Sequence, residues 1–146
     1  MTVVSRDESL ELAGQLRIVL LHLSRELRRE SHSLGVTGGQ VSLLAAIKGN
    51  PGITASALAE RERISAPAMS GQLSRLEEAE LITRTRGTDR RSMGLALTAE
   101  GERVLRSVRK KRTAWLSKRL ETLSDSERRA VTDAVEPLRK LLEDDE

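Results

Sequence analysis

Hydrophobic side chains recur at helical spacing over three long stretches of the chain, and each stretch begins at a residue suited to cap a helix. Ser5, Thr37 and Ser124 each precede a Glu or Gln by three residues. This is the capping-box pattern, in which the first side chain accepts a hydrogen bond from an amide of the new helix. The pattern predicts helices after all three residues, the second ending at the turn-forming residues 49–52 (Gly-Asn-Pro-Gly).

Two shorter helices are predicted in the middle of the chain. Residues 55–61 and 66–80 show helical spacing, and each follows a Thr or Ser that fits a cap. Pro67 is tolerated in the second of them because the amides of the first helical turn lack partners in any case. The first segment ends at about residue 61, so only about three residues, 63–65, separate the two segments. Two short helices joined so closely are typical of a helix-turn-helix.

The hydrophobic period changes after residue 80. Residues 81–86 and 92–97 are short β-compatible runs, and the Gly-containing connection between them predicts a hairpin. Thr98 then caps a helix that extends to about Glu121. The predicted fold class is mainly α with a small β-hairpin wing (α+β), in a single domain that spans residues 1–146.

The amino-acid composition excludes several kinds of functional site. Its 146 residues are 38% hydrophobic and 32% charged, which suits one globular core. There is no Cys, so disulfides, thiolate metal sites and thiol redox chemistry are excluded. His22 and His32 are the only histidines and Trp115 is the only aromatic residue. We therefore expect no metal, no cofactor and no enzymatic activity.

Charge is distributed unevenly along the chain. Residues 60–119 hold 15 Lys and Arg against 8 Asp and Glu, whereas residues 120–146 hold 4 against 9. A basic centre indicates a polyanionic partner, although solvated helix faces would give the same composition. The longest apolar run, residues 18–21, is far shorter than a membrane span, and the N-terminus does not resemble a signal peptide. We expect a cytoplasmic protein that does not enter membranes.

The helix predicted over residues 66–80 has two unlike sides. With Met69, Leu73 and Leu76 facing the core, the opposite side is small and polar, since successive residues are 100° apart. Such a side fits a DNA major groove, where Arg75 would meet a guanine edge or a phosphate; the alternative is an outer face that only meets water. The candidate DNA-binding residues here are Ser65, Pro67, Ala68, Ser70, Gly71, Gln72, Ser74 and Arg75.

The predicted hairpin concentrates positive charge. Arg84, Arg86, Arg90 and Arg91 accompany a single acid, Asp89. Strand alternation places the first two arginines on one face. Like charges this close repel one another unless an anion lies between them, and the DNA backbone or a narrow minor groove supplies one. We expect Asp89 to hold Arg91 extended by a charge-assisted hydrogen bond, and all five residues are candidate DNA contacts.

These stretches together resemble the MarR family (multiple antibiotic resistance regulators) of bacterial transcription factors. The resemblance covers nearly the whole chain in element order and length. It is most specific where residues 89–91 (Asp-Arg-Arg) and 97–101 (Leu-Thr-Ala-Glu-Gly) are similar to the family's wing motif Asp-x-Arg followed by Leu-Thr-x-x-Gly. Residues 73–82 are similar to the family's exit from the recognition helix. One departure is Glu80, where the family usually has a left-handed Gly.

The resemblance implies a sequence-specific DNA-binding regulator, more often a repressor than an activator. It implies a winged helix-turn-helix core over residues 37–98, with the wing at 81–97. Residues 5–33 and 99–146 would supply dimerisation helices. A two-fold homodimer predicts a pseudo-palindromic operator with half-sites about 34–36 Å apart.

The terminal segments favour a dimer independently of the resemblance. Residues 10–27 and 128–142 are rich in Leu and Val, and a monomer would cover so much terminal apolar surface poorly. Pro137 is expected to kink or shorten the last helix.

The resemblance also implies release from DNA by a small, anionic, often phenolic effector bound between the dimerisation helices and the DNA-binding lobe. Without Phe or Tyr, its pocket would be mainly aliphatic. The absence of Cys excludes sensing by thiol oxidation, and two histidines are too few for a zinc sensor. The alternative for Trp115 is a packing role and for His22 a plain surface position. The candidate effector-binding residues are Arg17, His22, Arg25, His32 and Trp115.

Two other interpretations compete with DNA regulation. A dimeric winged-helix module that binds an acidic protein partner would use the same basic surface. A hydrolase would need more than Ser107-x-x-Lys110, which lacks its partner motifs, while Glu77 and Glu78 point about 100° apart and do not converge.

Residues 103–119 contain eight basic side chains and no acid. Such a run adds long-range attraction for DNA. For residues 109–112 within it, we expect ion pairs with acids near either terminus instead.

Overall fold

The structure is a computed structural model that describes residues 5–86 and 93–143. The predicted fold class is confirmed: among the described residues, four α-helices precede one β-hairpin and two follow it, in the expected order. The wing residues Asp89, Arg90 and Arg91 lie outside the described residues. The elements are α1 (Arg6–Arg29), a single 3-10 turn (His32–Leu34), α2 (Gly38–Gly49), α3 (Ala55–Glu62), α4 (Ala66–Glu78), β1 (Ile82–Arg86), β2 (Met93–Leu97), α5 (Ala99–Glu121) and α6 (Asp125–Lys140).

The helices begin at the predicted caps because each cap satisfies amides that no helical carbonyl can reach. The Glu8 amide donates to the Ser5 hydroxyl at 3.2 Å. At α2 the capping box is complete: the Gln40 amide donates to the Thr37 hydroxyl at 3.1 Å, and the Thr37 amide donates to Gln40 Oε1 at 2.9 Å. Local sequence therefore fixes where these helices start.

The chain forms two compact units, with the boundary after Arg112. The first unit contains the hydrophobic core. This core joins α2, α3, α4, the hairpin and the first half of α5. Full burial of a Leu or Val side chain contributes about 1.5–3 kcal/mol. Side chains with no measurable exposure come from all of these elements: Leu44, Leu58, Leu73, Leu95 and Val108.

The hairpin is anchored to the segment that precedes α3. β1 and β2 pair antiparallel over their full length. On the other edge of β2, the Leu95 amide donates to the Ile53 carbonyl at 2.8 Å. A Cβ on Gly94 would lie 2.9 Å from the Gly52 carbonyl oxygen, so only Gly permits this approach. The base of the wing is thereby held against the start of α3.

A left-handed turn connects α4 to β1. Glu80 has φ 59°, so the left-handed conformation that the family gives to Gly is present here with a side chain. The Thr98 hydroxyl donates to the Glu80 carbonyl at 2.6 Å and accepts from the Gly101 amide at 3.0 Å. A Cβ on Gly101 would lie 2.0 Å from the Leu81 carbonyl oxygen. The start of α5 therefore packs directly on this turn.

The C-terminal end of α1 is tied to α5 by polar groups. Arg112 Nε donates to the Leu27 carbonyl at 3.1 Å, and Lys111 Nζ donates to the Ser33 hydroxyl. We expected residues 109–112 to pair with acids, and among the described residues they form no ion pair. The acids at 144–146 lie outside the described residues, so the expected pairing stays a prediction. Arg112 meanwhile satisfies a carbonyl in the last turn of α1, where helical carbonyls lack partners.

The second unit, from Thr113 onward, contains the end of α5 and all of α6. Ser124 and Glu127 form a complete capping box, and the Ser124 amide and hydroxyl both lower the pKa of the Glu127 carboxyl. α6 ends within one turn after Pro137. The guanidinium of Arg119 lies 5.4 Å from the centre of the Trp115 ring, a cation–π contact within the unit.

Candidate nucleic-acid interface

Helix α4 presents one buried and one exposed side, as predicted. The Ala68 amide donates to the Ser65 hydroxyl at 3.2 Å, which sets the start of the helix. Met69, Leu73 and Leu76 are at most 1% exposed and attach α4 to the core. The opposite side carries the predicted contact residues, with Gln72 half-buried and the remainder exposed: Pro67, Ala68, Ser70, Gly71, Ser74 and Arg75.

The turn between α3 and α4 depends on a residue that the sequence did not single out. Arg63 ends α3 in the left-handed conformation, with φ 56°. Its amide donates to the Glu60 carbonyl at 3.3 Å, and the Ile64 amide donates to the Ala59 carbonyl at 3.0 Å. The chain thus leaves one helix and enters the next within three residues, which completes the helix-turn-helix.

The two described wing arginines differ in their surroundings. Arg84 and Arg86 both lie on the exposed part of β1. Arg84 Nε donates to Glu77 Oε1 at 2.7 Å, an ion pair that joins β1 to the last turn of α4. No ion pair within the described part of the chain involves Arg86. The sequence treated these arginines as equivalent and missed Glu77 as a partner, since nothing local signals a contact between residues seven apart across a turn.

Two small clefts lie beside the exposed side of α4. One, of about 200 Å³, lies between α4 and the start of α2. The other, of about 240 Å³, lies between α4, the start of α3 and β1. Arg75 borders the first and Arg84 the second, so each predicted arginine lies at the edge of a concave surface rather than on an open face. The first is lined by Thr37, Gly39, Gln40, Gln72 and Arg75, and the second by Ala55, Ser56, Ala66, Met69, Ser70 and Arg84.

Positive charge at the start of α5 is balanced by acids. Lys48 Nζ lies 2.7 Å from Glu102 Oε2, and Arg103 Nε donates to Glu100 Oε2 at 2.9 Å. These contacts lower the pKa of both carboxyls, through the hydrogen bond from Arg103 at Glu100 and from Lys48 at Glu102. The positive excess of the central segment therefore resides elsewhere, including the exposed Arg75.

A groove along the C-terminal half of α1 brings together part of the predicted effector set. It has a volume of about 470 Å³ and contains three arginines and one histidine. Arg25 and His32 belong to its lining, while Arg17 lines an adjoining apolar groove of about 480 Å³. His22 and Trp115 are in neither lining. The residues around the first groove are Leu21, Ser24, Arg25, Arg28, Arg29 and His32.

Arg112 adds to the positive charge near this groove. Burial lowers the pKa of Arg112, and the like charge of Arg28, which lines the groove, lowers it further. The buried Arg112 Nη2 has no hydrogen-bond partner among the described residues. A desolvated guanidinium beside other arginines is the electrostatic setting in which an anion binds favourably.

The part of the chain that the structure describes contains neither a metal-binding cluster nor a membrane-spanning helix. Residues 5–86 and 93–143 contain no group of three or more His, Asp or Glu side chains arranged to hold a metal ion. Every helix among them is too short or too polar to cross a bilayer.

Comparison with known proteins connects this geometry to a family. Residues 34–92 match the profile of the MarR family. The chain is 30% identical to an uncharacterized HTH-type transcriptional regulator of Mycobacterium bovis, over 94% of this chain and 97% of the relative. It is also 30% identical to the HTH-type transcriptional repressor MdtR of Bacillus subtilis, over 90% of this chain and 85% of MdtR.

The fold is similar to that of a solved transcriptional regulator. The structure superimposes on the crystal structure of a putative transcriptional regulator of Pseudomonas aeruginosa with a TM-score of 0.83. The two chains are 32% identical, and the match covers 97% of this chain and all of the other. Sequence and structure therefore agree along almost the whole length of the chain.

Proposed function

The chain belongs to the MarR family of transcriptional regulators, and from that premise we propose that it binds a pseudo-palindromic operator as a homodimer and acts as a repressor. Residues 37–98 form the DNA-binding core, with the wing at 81–97. Residues 5–33 and 99–146 supply the dimerisation helices. The repressor role rests on the similarity to MdtR, which is named a repressor. Both half-sites would lie on one side of the duplex, about 34–36 Å apart.

The observation that carries the proposal is the exposed side of α4. Its small side chains allow the helix to lie deep in a major groove, because they leave no bulk between the backbone of α4 and the bases. Gln72 and Arg75 are long enough to read base edges. Arg84 and Arg86 on β1 would contact phosphates. Arg90 and Arg91, the latter held extended by Asp89, would do the same.

Binding to the DNA upstream of the protein's own gene tests the proposal. Fluorescence anisotropy should give a specific complex whose affinity falls steeply with salt. Arg75→Ala should weaken specific binding by about 1–3 kcal/mol. Arg75→Lys is the matched control: it keeps the charge but not the bidentate geometry, so binding to unrelated DNA should persist while specificity falls.

The alternative, a winged-helix module for an acidic protein partner, makes the opposite prediction. It requires that no specific complex with DNA forms even at low salt. The exposed side of α4 argues against it, since apart from Arg75 that side is small and polar, which suits entry into a major groove.

We propose further that a small organic anion binds the α1 groove and weakens DNA binding. The arginines and histidine of the groove would meet the anionic group, and Leu21 would meet the apolar part. His22 and Trp115, although predicted, lie outside the lining, so Arg25 and His32 are the residues on which this proposal rests, with Arg17 beside them.

Benzoate and 2-hydroxybenzoate are suitable probes of the groove. Each should raise the melting temperature, weaken operator binding, and lose both effects in Arg25→Ala. Since a ligand shifts an equilibrium only by its difference in affinity between two states, stabilisation without any change in DNA affinity would refute effector-controlled release.

A further inference from the structure

The ion pair between Glu77 and Arg84 joins the two surfaces that are proposed to meet DNA. Glu77 lies in the last turn of α4, and Arg84 is the third residue of β1. Their 2.7 Å contact spans the left-handed turn at Glu80. It is half-exposed, with 33% of the Arg84 side chain and 37% of the Glu77 side chain accessible. Pairs this exposed contribute little to folding stability, so stability alone does not account for it.

The position of Glu77 is unfavourable in two other respects. A carboxylate in the last turn of a helix is repelled by the negative end of the helix dipole. A carboxylate near a DNA-binding surface is also repelled by phosphates. A favourable contact of the Glu77 carboxylate must offset these two repulsions. Among the described residues, its observed ion-pair partner is Arg84.

The contact orients the Arg84 side chain. Glu77 receives the Nε hydrogen, and within the described chain the Nη1 and Nη2 groups form no hydrogen bond. Arg84 also borders the cleft that contains Ala66 and Ser70, so its side chain lies along α4 on the side where those residues are exposed. A guanidinium held through Nε still presents its two Nη groups, which form bidentate contacts with phosphate.

We propose that Glu77 is a positioning residue for DNA binding: its carboxylate holds Arg84 along α4 so that the Nη groups meet one backbone phosphate beside the major groove that α4 enters. This inference rests on the proposed DNA-binding function. It separates Arg84, which is held before DNA arrives, from Arg86, which forms no ion pair with a described residue. A side chain fixed in advance loses less conformational entropy when it binds.

The sign of one substitution distinguishes this role from simple repulsion. Removal of an acid beside DNA would by itself tighten binding. If Glu77 positions Arg84, Glu77→Gln should instead weaken operator binding by about three- to tenfold. The slope of log affinity against log salt should also become shallower, by about one for each phosphate that the variant no longer neutralises. Glu78→Gln is the matched control, since Glu78 is exposed on the same turn and forms no ion pair with a described residue. It should leave affinity unchanged or raise it slightly.

A double-mutant cycle completes the test. Arg84→Ala should weaken binding by about tenfold, and Glu77→Gln in that background should cause no further loss. Circular dichroism melts of all variants show whether the lobe remains folded. Wild-type affinity or tighter binding in Glu77→Gln would overturn the inference while DNA binding stands, and so would an equal loss in the Arg84→Ala background. Absence of specific binding by the wild-type protein would instead overturn the proposed function itself.

Discussion

Helices α1 and α4 show two different uses of apolar residues. α1 is the richer in Leu, Ile and Val, yet none of its residues is buried within the described chain, and Leu10, Leu12 and Leu21 are each more than half exposed. α4 has fewer aliphatic residues and buries three of its side chains, including Leu73. The number of apolar residues in a helix therefore does not decide how many of them the described chain buries.

The difference lies in what covers each helix. The buried residues of α4 form a stripe that the rest of the lobe, namely α2, α3, the hairpin and the start of α5, covers. On α1, Leu12, Val19 and Leu23 also recur at helical spacing, but the described chain leaves their side of the helix exposed. The lobe is thus completed by its own chain, whereas α1 needs apolar surface from elsewhere. A second copy of the chain supplies it in the proposed homodimer.

Truncation of the α4 stripe should have the largest effect. Leu73 has no measurable exposure, so Leu73→Ala should lower the free energy of unfolding by about 2–5 kcal/mol, because apolar burial is reduced and a cavity forms. Urea denaturation followed by circular dichroism measures this change. Ser74→Ala, at the exposed neighbour, should change stability by less than about 0.5 kcal/mol. Equal effects of the two substitutions would contradict the assignment of sides.

A charge introduced on α1 should weaken dimerisation and leave the folding stability of the lobe unchanged. Leu23 is 39% exposed, and Leu23→Asp should weaken dimerisation at least about tenfold because a carboxylate would be buried at the interface. Sedimentation velocity over a range of concentrations measures it. Gly14→Asp is the matched control: it adds the same charge on the opposite face, where a Cβ meets nothing within 4 Å. Unchanged association of Leu23→Asp would remove α1 from the interface.

A substitution in the turn after α4 should stabilise the lobe, whereas Leu73→Ala destabilises it. Glu80 adopts a left-handed conformation that Gly takes without strain, so Glu80→Gly should stabilise the lobe by up to about 1 kcal/mol. Glu78→Gly, within the helix, should destabilise it by about 0.5–1 kcal/mol. Thermal unfolding distinguishes the two signs. Destabilisation by both variants would show that the side chain of Glu80 forms contacts that outweigh the strain.

The smallest effect is expected at α6, another helix that buries none of its described residues. Hydrogen bonds from Ser124 lower the pKa of Glu127 below its unfolded value of about 4.3. The capping contribution is therefore complete above about pH 4.3 and is lost as pH falls through the lower folded value. NMR chemical shifts of residues 125–128 should report fraying over that acidic range. Glu127→Gln should abolish this pH dependence, and an unchanged profile would contradict it.

Local features of the fold were predictable from sequence because their causes are local. The caps at Thr37 and Ser124 depend on residues three positions apart, and the structure places both capping boxes as expected. The two sides of α4 follow from helical periodicity alone. The left-handed turn at Glu80 was not predicted, since the sequence has Glu where the family usually has a left-handed Gly, and Glu has no preference for that conformation.

Contacts between distant segments were not predictable in the same way. The bond from Leu95 to Ile53 and that from Arg112 to Leu27 join elements far apart in sequence. Nothing in the residue types identifies the partner, because a backbone carbonyl accepts from any donor that the fold brings near. The candidate site is another example. Helical periodicity predicted the exposed residues of α4, but nothing in the sequence predicted the ion pair between Glu77 and Arg84.

Trp115 has a consequence for spectroscopy. It is the only Trp in a chain without Tyr or Phe, so ultraviolet emission comes from a single position on α5 in the second unit. The ring lies beside the Arg119 guanidinium and is half-buried, so its emission wavelength should change with local hydration. The protein thus contains a built-in fluorophore outside the core of the lobe. Its signal follows changes in hydration around residue 115, with no contribution from another aromatic side chain.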